Sequence, residues 1–188
     1  MATVFQEKLP SVITLSRIAA TPFISFAIYW GGHWGEMAAA TLFIIAAITD
    51  YYDGYFARIW KVETNFGKLM DPVADKILVA VTLIMLLPIR KIDPTMVSLL
   101  LARDLVIGGI RAAAAADHLV IAAKPFGKWK TGIQLSAIPM ILINRPIFTI
   151  DFPIIGYYLL WVSVILSLIS GFQYCVQYRE ALVTRKNN

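Results

Sequence analysis

Six stretches of this 188-residue chain, about 11–30, 36–60, 71–89, 94–116, 127–144 and 153–177, are each near the length of about 20 apolar residues that crosses a bilayer core. Inside hydrocarbon a chain must satisfy its own backbone polar groups, and a helix does so within one segment. The expected fold is an all-α integral membrane bundle of six transmembrane helices, a single domain over residues 1–188. Composition agrees: 59% of residues are hydrophobic and 15% charged, against roughly 45–50% and about 25% in soluble domains. Intrinsic disorder, a nucleic-acid-binding domain and a disulfide scaffold are excluded, and the single cysteine, Cys175, has no partner for an internal disulfide.

Charge sets the orientation. The N-terminus, the segments around 61–70 and 117–126, the adjoining helix ends and the C-terminus carry Lys8, Arg17, Arg58, Lys61, Lys68, Lys76, Arg111, Lys124, Lys128, Lys130, Arg179, Arg185 and Lys186. The opposite connections, near Gly31-Gly32, at 90–93 and at 144–152, carry Arg90, Lys91 and Arg145. Positive residues collect on the cytoplasmic side, so both termini are expected in the cytoplasm. The net charge of +5 then reflects Lys and Arg facing anionic lipid. The first apolar segment is too long for a signal-peptide core and is followed by another span, so it reads as helix one. Pro10, Pro94 and Pro153 stand where three of the helices are expected to begin.

Asp50, Asp53, Asp71 and Asp75 fall at the cytoplasmic ends of helices two and three. Carboxylates facing lipid are unfavourable, which predicts that these four face inward. On a helical wheel Asp50, Asp53, Gly54, Ala57 and Arg58 share one face, and Tyr51, Tyr52, Tyr55 and Phe56 take the other. Asp71 and Asp75, four apart, also share a face. Asp71 before Pro72 would by itself also suit the start of helix three. Taken jointly, two carboxylate pairs from adjacent helices make an all-oxygen ligand set for two hard divalent cations, Mg²⁺ or Mn²⁺, able to clamp a phosphoryl group.

The pattern Asp50-x-x-Asp53-Gly54-x-x-Ala57-Arg58, eight residues, then Gly67-x-x-x-Asp71-x-x-x-Asp75 resembles the full signature of the CDP-alcohol phosphatidyltransferase family. The six spans with that signature across helices two and three also resemble the family layout. The resemblance implies transfer of a phosphatidyl group from CDP-diacylglycerol to an alcohol, with release of CMP. It implies that Asp50, Asp53, Asp71 and Asp75 bind two metals and that Asp75 also accepts the attacking hydroxyl's proton. Gly54, Ala57, Arg58 and Gly67 would line the CDP site. It further implies a homodimer in the bacterial inner membrane.

Helices four and five bear on the acceptor. Asp104 and Arg111, seven apart, lie within about 20° of each other with Gly108 beside them, whereas Arg103 falls about 100° away. Lys130, Thr131 and Gln134 share a face, with Lys128 at its edge. Lys128 and Lys130 also suit a role as snorkelling anchors. The element Gly127-Lys128-Trp129-Lys130-Thr131-x-x-Gln134, the Ala102-Arg103-Asp104 stretch with Arg111, and Leu9-Pro10 with Thr14 and Arg17 resemble a bacterial branch that uses sn-glycerol 3-phosphate. In that branch Arg111, Lys128, Lys130 and Arg17 would bind the acceptor's phosphate. Asp104 stands where Glu is usual, and Ser11 where Asn is frequent. The Arg-Asp pair resembles the CDP-type cardiolipin synthases, which use phosphatidylglycerol, so that acceptor stays open. A reading of another class is a divalent-cation transporter. Transport sites favour the bilayer midplane, however, and these acids lie at helix ends.

Overall fold

The computed structural model describes the backbone at residues 4–60, 65–117, 125–146 and 149–187. Among these, the side chains of residues 4–16, 50–60, 65–72, 125, 126, 128 and 184–187 lie outside the description. Six helices follow in order: α1 (Val4–Trp30), α2 (Gly32–Trp60), α3 (Asn65–Leu86), α4 (Pro94–Ala116), α5 (Pro125–Ile143) and α6 (Phe152–Asn187). The described residues contain no extended strand.

The helix count and order match the expectation, but most of the helices extend beyond their apolar stretches. An α-helix closes its own hydrogen bonds in water as well as in lipid, so polar end turns continue it past the apolar core. Pro10 consequently lies inside α1, and the Asp71-Pro72 step lies inside α3, which starts at Asn65. A start of helix three at Asp71 is therefore ruled out. Pro94 does open α4 behind an extended Asp93, where its missing N–H leaves no bond unmade.

The three connections assigned to one side do meet at one end of the bundle. Glu36, near the start of α2, accepts hydrogen bonds from Lys91 Nζ at 2.9 Å and from Asn144 Nδ2 at 2.8 Å. The Tyr157 hydroxyl of α6 donates to Asp93 ahead of α4. One carboxylate thus ties the α3–α4 and α5–α6 connections to the α1–α2 corner. The helices alternate up and down between that end and the opposite one.

Packing relies on small residues. Ala27, Ala39, Ala40, Ala46 and Ala137 are buried beside Phe43, Leu83, Leu86, Met96, Ile138 and Leu160. At Gly156 of α6, an added Cβ would sit 2.8 Å from the Ala137 carbonyl oxygen and 2.9 Å from Met140 Cβ, so only glycine allows α5 and α6 this approach. Hydroxyls along the helices satisfy themselves locally: Thr21, Ser25, Thr82 and Ser136 each donate to the carbonyl four residues back.

The outer surface is apolar. Phe23, Leu105, Trp34 and Phe172 are 66–84% exposed, with many aliphatic neighbours. Patches of this extent mark a surface that meets something other than water. By length and composition one helix among the described residues, Phe152–Val183, is apolar enough to cross a membrane. Several of the others carry charged side chains within their length, and described ones on α1, α3, α4 and α5 converge at one site.

Candidate active site

At the end of the bundle opposite Glu36, α1 and α3–α6 surround a cavity of about 680 Å³ with α2 at its floor. Its depth comes from the packing order, in which α1 lies on α3 while α5 and α6 pair on the far side. Ala46, Ala47, Leu78, Val79 and Ile107 give it an apolar floor, and its walls bear Arg17, Lys76, Arg103, Arg111 and Lys130 against Asp75 and Asp104. Among the described residues five cations face two carboxylates, a balance that favours an anion.

Four of the expected site residues, Asp75, Arg17, Arg111 and Lys130, line this one cavity. They come from four different helices, α1, α3, α4 and α5, and Asp104 lines the cavity with Arg111, as their shared helical face predicts. Asp50, Asp53, Gly54, Ala57 and Arg58 fall on the last turns of α2, and Gly67 and Asp71 on the first turns of α3. Their side chains, like that of Lys128, lie outside the described residues.

Asp75 is half exposed to the cavity and ion-pairs with Arg17, whose guanidinium is almost fully buried. Burial fixes the arginine, and the arginine in turn orients the carboxylate. On the opposite wall Lys130 Nζ meets both oxygens of Asp104, at 2.8 and 3.0 Å. Asp104 Oδ1 also accepts from Arg103 Nη1 at 2.9 Å, and its backbone carbonyl accepts from Lys76 Nζ at 3.1 Å. Arg111 lies with its guanidinium carbon 5.4 Å from the centre of the Tyr174 ring, a cation–π contact that leaves its N–H edges available.

Thr131 and Gln134 share the lining with Lys130, as their common helical face predicts. Arg103 departs from its wheel position. Its long side chain spans the offset, and it reaches the cavity wall while donating to Ser167 O and Ser170 Oγ, both at 3.0 Å. A wheel places Cα atoms and ignores the reach of an arginine. Gln173 and Tyr174 of α6 also went unseen in the sequence, because nothing in a long apolar helix marks which turn closes a site.

Among the described residues no three His, Cys, Asp or Glu side chains cluster as metal ligands. Asp75 is the one member of the acidic quartet whose side chain is described. Oxygen donors of that kind, beside a cavity rich in cations, suit a hard divalent ion together with an anionic ligand.

A family model described as CDP-alcohol phosphatidyltransferase matches residues 7–169. The chain is 35% identical over 176 residues to a Rickettsia bellii (strain RML369-C) protein named CDP-diacylglycerol–glycerol-3-phosphate 3-phosphatidyltransferase, covering 92% of this chain and 97% of that one. A Bacillus subtilis (strain 168) protein of the same name is 38% identical over 189 residues, with 94% and 97% covered. A protein of Oryza sativa subsp. japonica named cardiolipin synthase (CMP-forming) is 34% identical over 151 residues, 73% of this chain and 46% of its own length.

Proposed function

This chain belongs to the CDP-alcohol phosphatidyltransferase family, and on that premise we propose that it transfers the phosphatidyl group of CDP-diacylglycerol to sn-glycerol 3-phosphate, releasing CMP. The observation that carries the choice of acceptor is the cationic pair Lys130 and Arg111, which shares one cavity with the Asp75 carboxylate. A small alcohol bearing a phosphate can rest its charge on that pair while its free hydroxyl reaches Asp75.

In this reaction a new bond forms between the acceptor's hydroxyl oxygen and the phosphorus attached to diacylglycerol, and the bond from that phosphorus to CMP breaks. Asp75 takes the hydroxyl proton, and Arg17 orients its carboxylate. Arg111, Lys128, Lys130 and Arg17 hold the acceptor's phosphate. Gly54, Ala57, Arg58 and Gly67 line the CDP site, where small residues leave room for the nucleotide and Arg58 balances charge. Asp50, Asp53, Asp71 and Asp75 would hold two divalent cations, Mg²⁺ or Mn²⁺, which supply charge neutralisation at the pyrophosphate.

The reading extends to placement. All six helices cross the bacterial inner membrane, with both termini and the cavity mouth on the cytoplasmic side, so the diacyl tails stay in lipid during turnover. The apolar outer surface and the bias of Lys and Arg support this.

Product identification tests the proposal. Purified protein in vesicles is offered CDP-diacylglycerol with glycerol 3-phosphate, phosphatidylglycerol or inositol phosphate, and the lipid formed is identified by mass spectrometry. Phosphatidylglycerophosphate and CMP are expected with glycerol 3-phosphate alone. Cardiolipin from phosphatidylglycerol would reassign the acceptor, and Mn²⁺ movement without CMP release would reassign the class to a transporter.

A further inference from the structure

We infer that Asp104 is a positioning residue that is itself braced by Arg103 against α6, and that it aims the Lys130 ammonium at the acceptor's phosphate. The inference rests on the acceptor site proposed above and deepens it.

Lys130 projects from α5 with its side chain only 6% exposed. An ammonium so buried needs a counter-charge, and Asp104 supplies it through both carboxylate oxygens. Asp104 is in turn held in place. Arg103 Nη1 donates to its Oδ1, while Arg103 Nε and Nη2 are engaged by Ser167 O and Ser170 Oγ on α6. Gly171 leaves the space for this, since a Cβ there would stand 3.3 Å from both Cγ and Nε of Arg103. Lys76 of α3 reaches the Asp104 carbonyl, so four helices meet at this residue.

The arrangement has a consequence for binding. An ammonium has three N–H donors. Two of them serve the Asp104 oxygens, so the third points from a fixed geometry and an incoming phosphate meets an oriented donor. Arg103, with its hydrogen bonds directed at protein atoms, acts through Asp104 and does not need to touch the acceptor. The two cations outnumber the single carboxylate, which keeps the cluster attractive to anions.

Steady-state CMP release by the full chain in phosphatidylcholine vesicles tests the role, with glycerol 3-phosphate and CDP-diacylglycerol varied in turn. Asp104→Asn should raise the KM for glycerol 3-phosphate by about tenfold and leave the KM for CDP-diacylglycerol within about twofold. Asp104→Glu, which keeps the charge, should recover part of the loss. In a Lys130→Ala background Asp104→Asn should add nothing, because its effect passes through that lysine. Equal changes in both KM values, or additive effects in the double variant, would overturn the assignment. Ser170→Ala removes one tie of Arg103 without disturbing a charge. It should give the same acceptor-selective change at smaller amplitude, and no change would again contradict the brace. Acylation of Lys130 by an amine-reactive ester, followed by mass spectrometry, needs no acceptor. It separates failure of this inference from failure of the acceptor reading: faster labelling in Asp104→Asn supports the aimed ammonium, and equal labelling refutes it.

Discussion

Asp75 and Arg17 show how much one pair can organise. The arginine is buried at 2% exposure while its carboxylate partner is 50% exposed, so the fixed member is the cation and the presented member is the carboxylate. That polarity suits a group that must meet a substrate. Asp75→Asn keeps the size and hydrogen-bonding capacity but removes the ability to accept a proton. It should lower CMP release by about 10²–10⁴-fold while circular dichroism and monodispersity remain those of the parent. Turnover at the parental rate in that variant would remove Asp75 from the proposed role. Asp75, Arg111 and Lys130 were legible in the sequence because a charged residue on an apolar helix stands out. Arg103 was equally visible, but its contribution was misread because the helical wheel measures angle and not reach.

Elements meet through small residues and through a polar clamp, both near the end that carries Glu36. Gly156→Ala would drive a methyl group to within 2.8 Å of the Ala137 carbonyl. The backbone cannot yield there without parting α5 from α6, and a loss of about 1–3 kcal/mol is expected, read as a lowered thermal midpoint in detergent. Glu36 stands far from the cavity but joins three connections through Lys91 and Asn144. Glu36→Ala should leave CMP release near the parental level and reduce stability by about 1–3 kcal/mol, measured by the same melt. Helix number and order were readable because apolar runs and helical period are local properties. The ends were not: a helix stops where capping and neighbouring elements stop it, and α1, α3 and α6 all run on past their apolar stretches.

Among the described residues the exterior is largely apolar, and seven charged side chains line one cavity at one end. With CDP-diacylglycerol held in the bilayer and the acceptor in water, a site at such an end meets both. Chelation probes the acidic quartet as a unit. EDTA should stop CMP release, and added Mg²⁺ or Mn²⁺ should restore it; release unaffected by the chelator would remove the metals from the reaction. The same chelation should not alter the helical circular dichroism, since the helices pack through apolar and small residues.

The amino-acid order alone established the six helices, their sequence along the chain and the family that the acidic signature marks. Each of these depends on spacing within one helix or between consecutive helices, where the helical repeat dictates geometry. Partner choice was settled by packing. Arg17 finds Asp75 across 58 residues, and Arg103 finds Ser170 across 67. Lys130 spends its charge on Asp104 because α4 and α5 both bring their charged turns to the same cavity. Those pairings depend on which helices lie side by side, and periodicity along one helix carries no information about its neighbours.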